Sequence, residues 1–235
     1  MAQRVKVAEF EAVGGPSVLQ NSSDGYFAGP TDAGFYRMAR CGRHSSPSYP
    51  DWSTIRWGSE IKEESGEIKV MHDGKWQLLK KLSPRMTKEA LIQRNLELYG
   101  KRELPKRWLF NDFGHITCYF FRDKNRNRQL DKNLGEKIHT EYFHSTPVDE
   151  AATAAGKPVT LTESHGCIHL KPNDIDEMIK RGYFNAGNLL VVHGYKQKVT
   201  LWGYDAAGKA PFEVHFFPGA RKVIVTGRRP ALTRR

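Results

Sequence analysis

Cysteine is scarce in this chain: three residues in 235, Cys41, Cys118 and Cys167. An odd count leaves at least one thiol that cannot pair within the chain. Long apolar runs are missing too. No stretch approaches the roughly 20 apolar residues that a helix needs to cross a bilayer, so no membrane span is expected. The segment from Met1 to Val7 lacks the apolar region of a secretory leader, so a chain that works outside the cytoplasm is expected to have lost its leader or to travel by another route. Internal repeats and low-complexity tracts are absent, and so are the zinc-finger and helix-in-groove spacings of DNA readers. Acidic residues are the minority, 26 against 37 lysines and arginines, for a net charge of +11. A field of that sign attracts polyanions, whether nucleic acid, acidic lipid or anionic envelope polymers. Without a reading motif, nucleic acid is not the expected partner. Part of the surplus lies in Arg228, Arg229, Arg234 and Arg235, read as a solvated basic tail over 227–235.

What is present is an ordinary globular balance, 27% charged and 11% aromatic, with enough chain for a full core. The reading is one elaborated domain over 1–226 with its catalytic core at about 110–195. Its most informative stretch is Ser164-His165-Gly166-Cys167-Ile168-His169-Leu170. A thiol is mostly protonated at neutral pH and becomes a nucleophile when an imidazole takes its proton or a positive site stabilises the thiolate. Gly166 permits a tight turn and close substrate approach, and it frees nearby N–H groups to stabilise an oxyanion. Cys167 is therefore the candidate nucleophile and the expected free thiol. Cys118, alternating with Ile116 and Phe120, reads as a small buried hydrophobe. Cys41 sits in a Gly/Ser/Pro-rich segment where exposure is allowed, and whether it pairs with Cys118 stays open.

Two histidines compete for the role of base. His165 is close in sequence, but a residue two before the cysteine on a strand need not aim its ring across the sulfur. His144, from a neighbouring strand, approaches from the side. The stretch Phe143-His144-Ser145-Thr146, the heptapeptide, then Asn173-Asp174-Ile175-Asp176 and the run Leu189 to Val192 together resemble the catalytic core of YkuD-type L,D-transpeptidases over about Lys137 to His193. A weaker echo lies in Gly29-Pro30-Thr31-Asp32-Ala33-Gly34-Phe35-Tyr36. The chain departs from the family at His169, where arginine or asparagine is common, and in the length of the connection from Ser145 through Glu163.

The resemblance implies a mainly β fold, the YkuD β-sandwich with a few peripheral helices. It implies His144 as base, Ser145 orienting it through a backbone carbonyl, His165 shaping the pocket, and N–H groups of Gly166 and Cys167 as oxyanion donors. Ser164, His169 and Thr146 would contact substrate. The implied substrate is the tetrapeptide stem of peptidoglycan, cleaved between the L-centre of a diamino acid and the terminal D-Ala. An amine acceptor would give a crosslink or D-amino acid exchange, and water would give L,D-carboxypeptidase trimming. Action in the periplasm or cell envelope follows, without cofactor or metal. A leaderless member would fit an antibacterial secreted effector, with an immunity or delivery protein as partner.

Three rival readings rest on the residues themselves. His165, Cys167 and His169 alternate and would share a strand face, as zinc ligands do, although no Cys-x-x-Cys or His-Glu-x-x-His pattern accompanies them. A cysteine hydrolase with its base downstream at His193 or His215 is the second. The third is a noncatalytic basic module that binds cell wall or nucleic acid. Asp123-x-Asn125-x-Asn127 opens like a calcium loop, but Arg128 and Leu134 stand where glycine and glutamate belong, so it reads as a polar hairpin turn.

Periodicity predicts strands around Val5 to Phe10, Phe35 to Met38, Ile116 to Phe121, Leu189 to His193, Val199 to Tyr204, Val214 to Phe217 and Val223 to Thr226. It predicts a hairpin over Ile68 to Leu82 turning at Asp73-Gly74. A helix capped by Thr87 should carry Leu91, Ile92, Leu96 and Tyr99 on its packed side and stop at Gly100, and a second should run from Asn173 to Gly182. Val148 to Val159 suits a loop or a short helix ending at Gly156. Ser45 to Trp57 reads as a long ordered loop, with Trp52 and Trp57 plugging a core edge or lining a groove.

Overall fold

The computed structural model of the protein describes residues 3–22, 25–44 and 51–230. The chain divides into two compact units: Met1–Cys41, Cys118–His144 and Leu161–Arg235 form the first, Gly42–Thr117 and Ser145–Thr160 the second. The chain is mainly β, with few helices.

In the first unit eight strands close on themselves in the order Arg4–Val13, Ile168–Leu170, Phe143–His144, Thr117–Phe121, Gly34–Gly42, Leu189–Val192, Lys209–Phe217, Lys222–Arg228 and back to Arg4–Val13. Closure removes the exposed sheet edges that would otherwise invite pairing with another chain. Alternation decides which side chains enter: Val5 and Val7 of the first strand and Tyr36 and Met38 of Gly34–Gly42 are buried, whereas Phe35, next to Tyr36, is exposed. Leu189–Val192 runs parallel to Lys209–Phe217 and antiparallel to Gly34–Gly42. Thr117–Phe121 is buried at every position, as expected of a strand covered on both faces.

The helix Pro172–Lys180 belongs to this unit. Pro172 at its first turn sacrifices no needed hydrogen bond, and Ile175 and Met178, one turn apart, are its buried stripe. It ends at Arg181, with Gly182 at φ +72°. The segment Val199–Tyr204 is not a strand. It contributes a single bridge, Lys6 to Tyr204, and Leu201 is almost fully exposed. Its alternating Val, Leu and Tyr looked like a half-buried face, yet no neighbouring strand pairs along it.

Cys41 and Cys118 form a disulfide, which leaves Cys167 as the free cysteine. The reading of Cys118 as a lone buried hydrophobe is therefore corrected, although it is buried as expected. Gly34–Gly42 and Thr117–Phe121 are neighbours in the barrel, and neighbouring strands bring two cysteines 77 residues apart within bonding distance.

The second unit holds a three-stranded antiparallel sheet of Ile61–Glu64, Glu67–His72 and Lys75–Leu78, the hairpin turning at Asp73-Gly74 with both residues at positive φ. Thr87 caps the helix Lys88–Tyr99 by accepting the Ala90 N–H, and Gly100 closes it at φ +69°. Its buried face is Leu91 with Asn95, whereas Leu96 is substantially exposed. Asn95 takes the inner position because its side-chain amide donates to the Glu103 carbonyl. Ile55, Ile61, Val70, Leu79, Leu91 and Trp108 make the core, with Trp52 packed against it. Trp52 thus plugs a core edge, and its carbonyl accepts the Trp108 indole N–H at 3.0 Å. Of the expected 45–57 loop, residues 45–50 lie outside the described residues, and Asp51–Thr54 forms a 3-10 turn.

Candidate active site

The segment Ser164 to Cys167 is a turn wired by its own side chains. The Ser164 N–H donates to the Gly14 carbonyl at 3.1 Å. Its hydroxyl accepts the Gly166 N–H at 3.0 Å and donates to the Cys167 carbonyl at 2.5 Å. Ser164 is buried, and both faces of its hydroxyl are used within the turn. Gly166 has φ +136°, a region that side chains rarely tolerate. Its N–H is occupied by Ser164, which narrows the oxyanion donors expected there toward the N–H of Cys167.

A second layer presses on this turn. A Cβ on Gly15 would lie 1.9 Å from the Gly29 carbonyl oxygen and 3.0 Å from the Gly166 nitrogen, so only glycine allows the three segments to stack. The Gly15 N–H donates to Thr31 Oγ1 at 3.1 Å, and the Tyr195 hydroxyl donates to the Gly15 carbonyl at 2.6 Å while accepting the Thr31 N–H at 3.1 Å. The Pro30-Thr31-Asp32 echo thereby gains a physical role as one wall of the turn.

Strand register orders the chemistry. Ile168–Leu170 runs parallel to Phe143–His144, with Ile168 opposite Phe143 and His169 opposite His144. Alternation then sends Ile168 and Phe143 toward the core, where both are fully buried, and puts Cys167, His169 and His144 on the other face. The His144 and His169 rings meet edge to face, centroids 4.8 Å apart. His169 is buried and its Nδ1 donates to the Thr162 carbonyl at 2.9 Å. Burial depresses its pKa to about 4, the Thr162 bond pulling upward and the His165 charge downward. The ring is therefore neutral near pH 7 and packs against His144.

Cys167 is partly exposed although protein surrounds its sulfur. Burial pushes the thiol up to about 12, a backbone hydrogen bond with Tyr142 working against the rise and the Glu141 charge adding to it. The thiol is thus protonated at rest, and any nucleophilic use of it requires a base to remove the proton during attack. His165 is exposed and stands edge-on to Tyr26, centroids 6.3 Å apart.

The remaining expected residues belong to the second unit. The Ser145 hydroxyl donates to Glu150, which also accepts the His115 N–H at 3.0 Å and lies 2.6 Å from His115 Nδ1. Thr146 is the N-cap of the helix Pro147–Ala154, exchanging hydrogen bonds with Asp149 in a capping box. Its hydroxyl is engaged in that cap.

His193 and His215 lie 3.2 Å apart, with Phe217 stacked on His193 at 3.9 Å and Trp202 beside His215. His215 lies on the strand Lys209–Phe217, three places round the barrel from Ile168–Leu170, and His193 follows the strand four places away. The pair is bound to its own aromatic cluster. Among the described residues no three His, Cys, Asp or Glu side chains converge as a metal site would require. The polar hairpin turn at Asp123–Asn127 is tied by Asn125 and Asn127 to Asp131 and by the Arg128 N–H to Asp123.

Sequence patterns missed Glu141, Gly15 and Tyr195 as parts of the site, because their roles arise only when the segments meet. Among curated proteins and solved structures nothing matches the chain. The family model of the L,D-transpeptidase catalytic domain, YkuD, matches residues 3–199, the span that contains the whole Ser164–Cys167 turn and its partners. The chain belongs to the YkuD L,D-transpeptidase catalytic-domain family, whose members modify peptidoglycan.

Proposed function

We propose that the protein is a cysteine acyltransferase acting on the tetrapeptide stems of peptidoglycan. One observation carries this reading: the free thiol, Cys167, leaves a left-handed glycine turn on the same sheet face as His144. Because the thiol is protonated at rest, His144 takes its proton as the sulfur attacks the carbonyl at the L-centre of the diamino acid. The Cys167 N–H stabilises the oxyanion. His144 returns the proton to the departing D-Ala amine, and a thioester remains on Cys167. An amine or water then attacks the thioester and releases the thiolate, which recovers its proton. Ser145 follows His144 in the chain and acts through its backbone, since its hydroxyl is committed to Glu150. His165, edge-on to Tyr26, shapes the pocket.

We read residues 1–226 as the catalytic region, with its core at about 110–195. The Cys41–Cys118 disulfide favours an oxidising compartment, in keeping with action in the periplasm or envelope, and no helix among the described residues is long and apolar enough to cross a membrane. Delivery as an antibacterial effector, with an immunity or delivery protein as partner, is the secondary reading. Incubation with purified tetrapeptide muropeptides, with and without a free D-amino acid, tests the activity by mass: exchange or crosslinking identifies an amine acceptor, loss of D-Ala alone identifies water. Cys167→Ala and His144→Ala should lower turnover by at least about three orders of magnitude while remaining folded. Unimpaired turnover by Cys167→Ala would end the proposal.

A further inference from the structure

Glu141 is absent from the chemistry above, yet it touches the turn that holds the nucleophile. It precedes Tyr142, whose carbonyl accepts the Ile168 N–H at 2.8 Å, so it stands one residue from the strand pairing that sets Cys167 in place. A Cβ on Gly166 would come within 3.1 Å of Glu141 Oε1; the carboxyl fills the space a side chain would need. Both its oxygens accept the Asp32 N–H at 3.1 Å, which ties the Thr31-Asp32 wall to the turn. The side chain is 14% exposed.

We propose that Glu141 is a positioning residue for Cys167: its carboxyl braces the Gly166 turn from which Cys167 leaves, and its negative charge, when present, disfavours a second negative charge on that turn. This rests on the reading of Cys167 as the nucleophile. The charged and titratable groups that face the carboxyl are Asp32 and His139, whose Nε2 lies 3.3 Å from Asp32 Oδ2 and whose Nδ1 lies 3.8 Å from Glu141 Oε2, together with Arg122, Tyr36 and Cys167. Arg122 is turned to the Tyr36 hydroxyl at 2.9 Å and forms no ion pair with Glu141 among the contacts described. Burial raises Glu141 to about 7, the Asp32 N–H lowering it, the Asp32 charge raising it and Arg122 lowering it. The charge therefore appears as pH rises through neutrality, and a like charge beside a thiol opposes its ionisation.

Alkylation by iodoacetamide, followed by mass on the native disulfide-bonded protein between pH 5 and 9, reads this directly. Only the thiolate reacts, so the logarithm of the rate should climb with pH, pause on a shelf near pH 7 as Glu141 ionises, and resume about tenfold below the extrapolated line. In Glu141→Gln the shelf should vanish and alkylation at pH 8 should be about tenfold faster than wild type. Glu141→Asp, which keeps the charge, should restore the shelf. An unbroken wild-type line, or a Glu141→Gln variant no faster than wild type at pH 8, overturns the proposal. Should Glu141→Gln fail to fold, Glu141→Ala read over the same pH series decides the matter, because a shelf that persists without the carboxyl overturns the proposal. Muropeptide turnover is not read by this assay: alkylation with the shelf but no turnover would remove the proposed function and leave this inference standing, and the reverse outcome would do the opposite.

Discussion

Removing the Cys41–Cys118 disulfide by the double substitution Cys41→Ala/Cys118→Ala should cost much of the protein's stability without touching Cys167. The bridge closes a chain separation of 77 residues. A crosslink withdraws loop-closure entropy from the unfolded ensemble as about −2.1 − 1.5R ln n, which for this separation is roughly 15 cal/mol/K, or about 4.5 kcal/mol at 25 °C. For a chain of this size each kcal/mol moves the midpoint by about 2–4 °C, so the melting temperature should fall by roughly 10–15 °C. The two strands stay paired in the native barrel either way, which is why the effect belongs to the unfolded state. The assay is thermal unfolding by circular dichroism, with the wild type run with and without a phosphine reductant. Labelling in denaturant checks the premise first: one thiol should react before reduction and three after. A fall of less than about 3 °C in the double variant, with labelling as stated, would refute the loop-closure reasoning.

Gly166→Ala should destabilise the protein by about 1–3 kcal/mol, because alanine at φ +136° is strained and its Cβ meets Glu141 at 3.1 Å. Chemical denaturation measures it, and turnover should fall with it as the turn shifts. His169 gives a pH signature with a definite sign. Its folded pKa of about 4 lies below the unfolded value near 6.5, so the unfolded chain takes the proton first. The stability from its neutral form is complete above about pH 6.5 and is lost as pH falls toward 4, an effect of about 3 kcal/mol. The stability difference between wild type and His169→Asn should narrow by about that amount across the window, and a difference independent of pH would count against it.

Several local elements were legible because neighbouring residues alone set them. Thr87 and Gly100 bound their helix through a side-chain cap and a left-handed stop, and Asp73-Gly74 turns its hairpin through backbone preference. The Leu189–Val192 strand is marked by its continuous apolar run, which suits a place between two other strands. Other readings failed where a local pattern met a nonlocal partner. Val199–Tyr204 alternates like a strand but finds no ladder. Leu96 looked inward, but Asn95 took the packed position because the Glu103 carbonyl was there to receive it. The partners of the Ser164 and Thr146 hydroxyls, a turn and a helix cap, are visible only in the folded chain.

By itself the sequence carried the residues of the proposed chemistry: a thiol after a glycine, a histidine upstream of it, and strand and helix signals in the family's order. Those depend on residue type and short spacing, which a linear chain carries in full. Tertiary structure decided which groups share a face and which are already taken. Parallel pairing of two short strands aligned His169 with His144 and so put Cys167 on the same face by alternation. Barrel closure put His215, and the strand that His193 follows, remote from Ile168–Leu170. Burial kept the Cys167 thiol and the His169 ring neutral, and the meeting of Asp32, Gly166 and Glu141 set a carboxyl against the nucleophile's turn. Desolvation and register are properties of segments brought together from far apart in the chain, so no local pattern of residues could carry them.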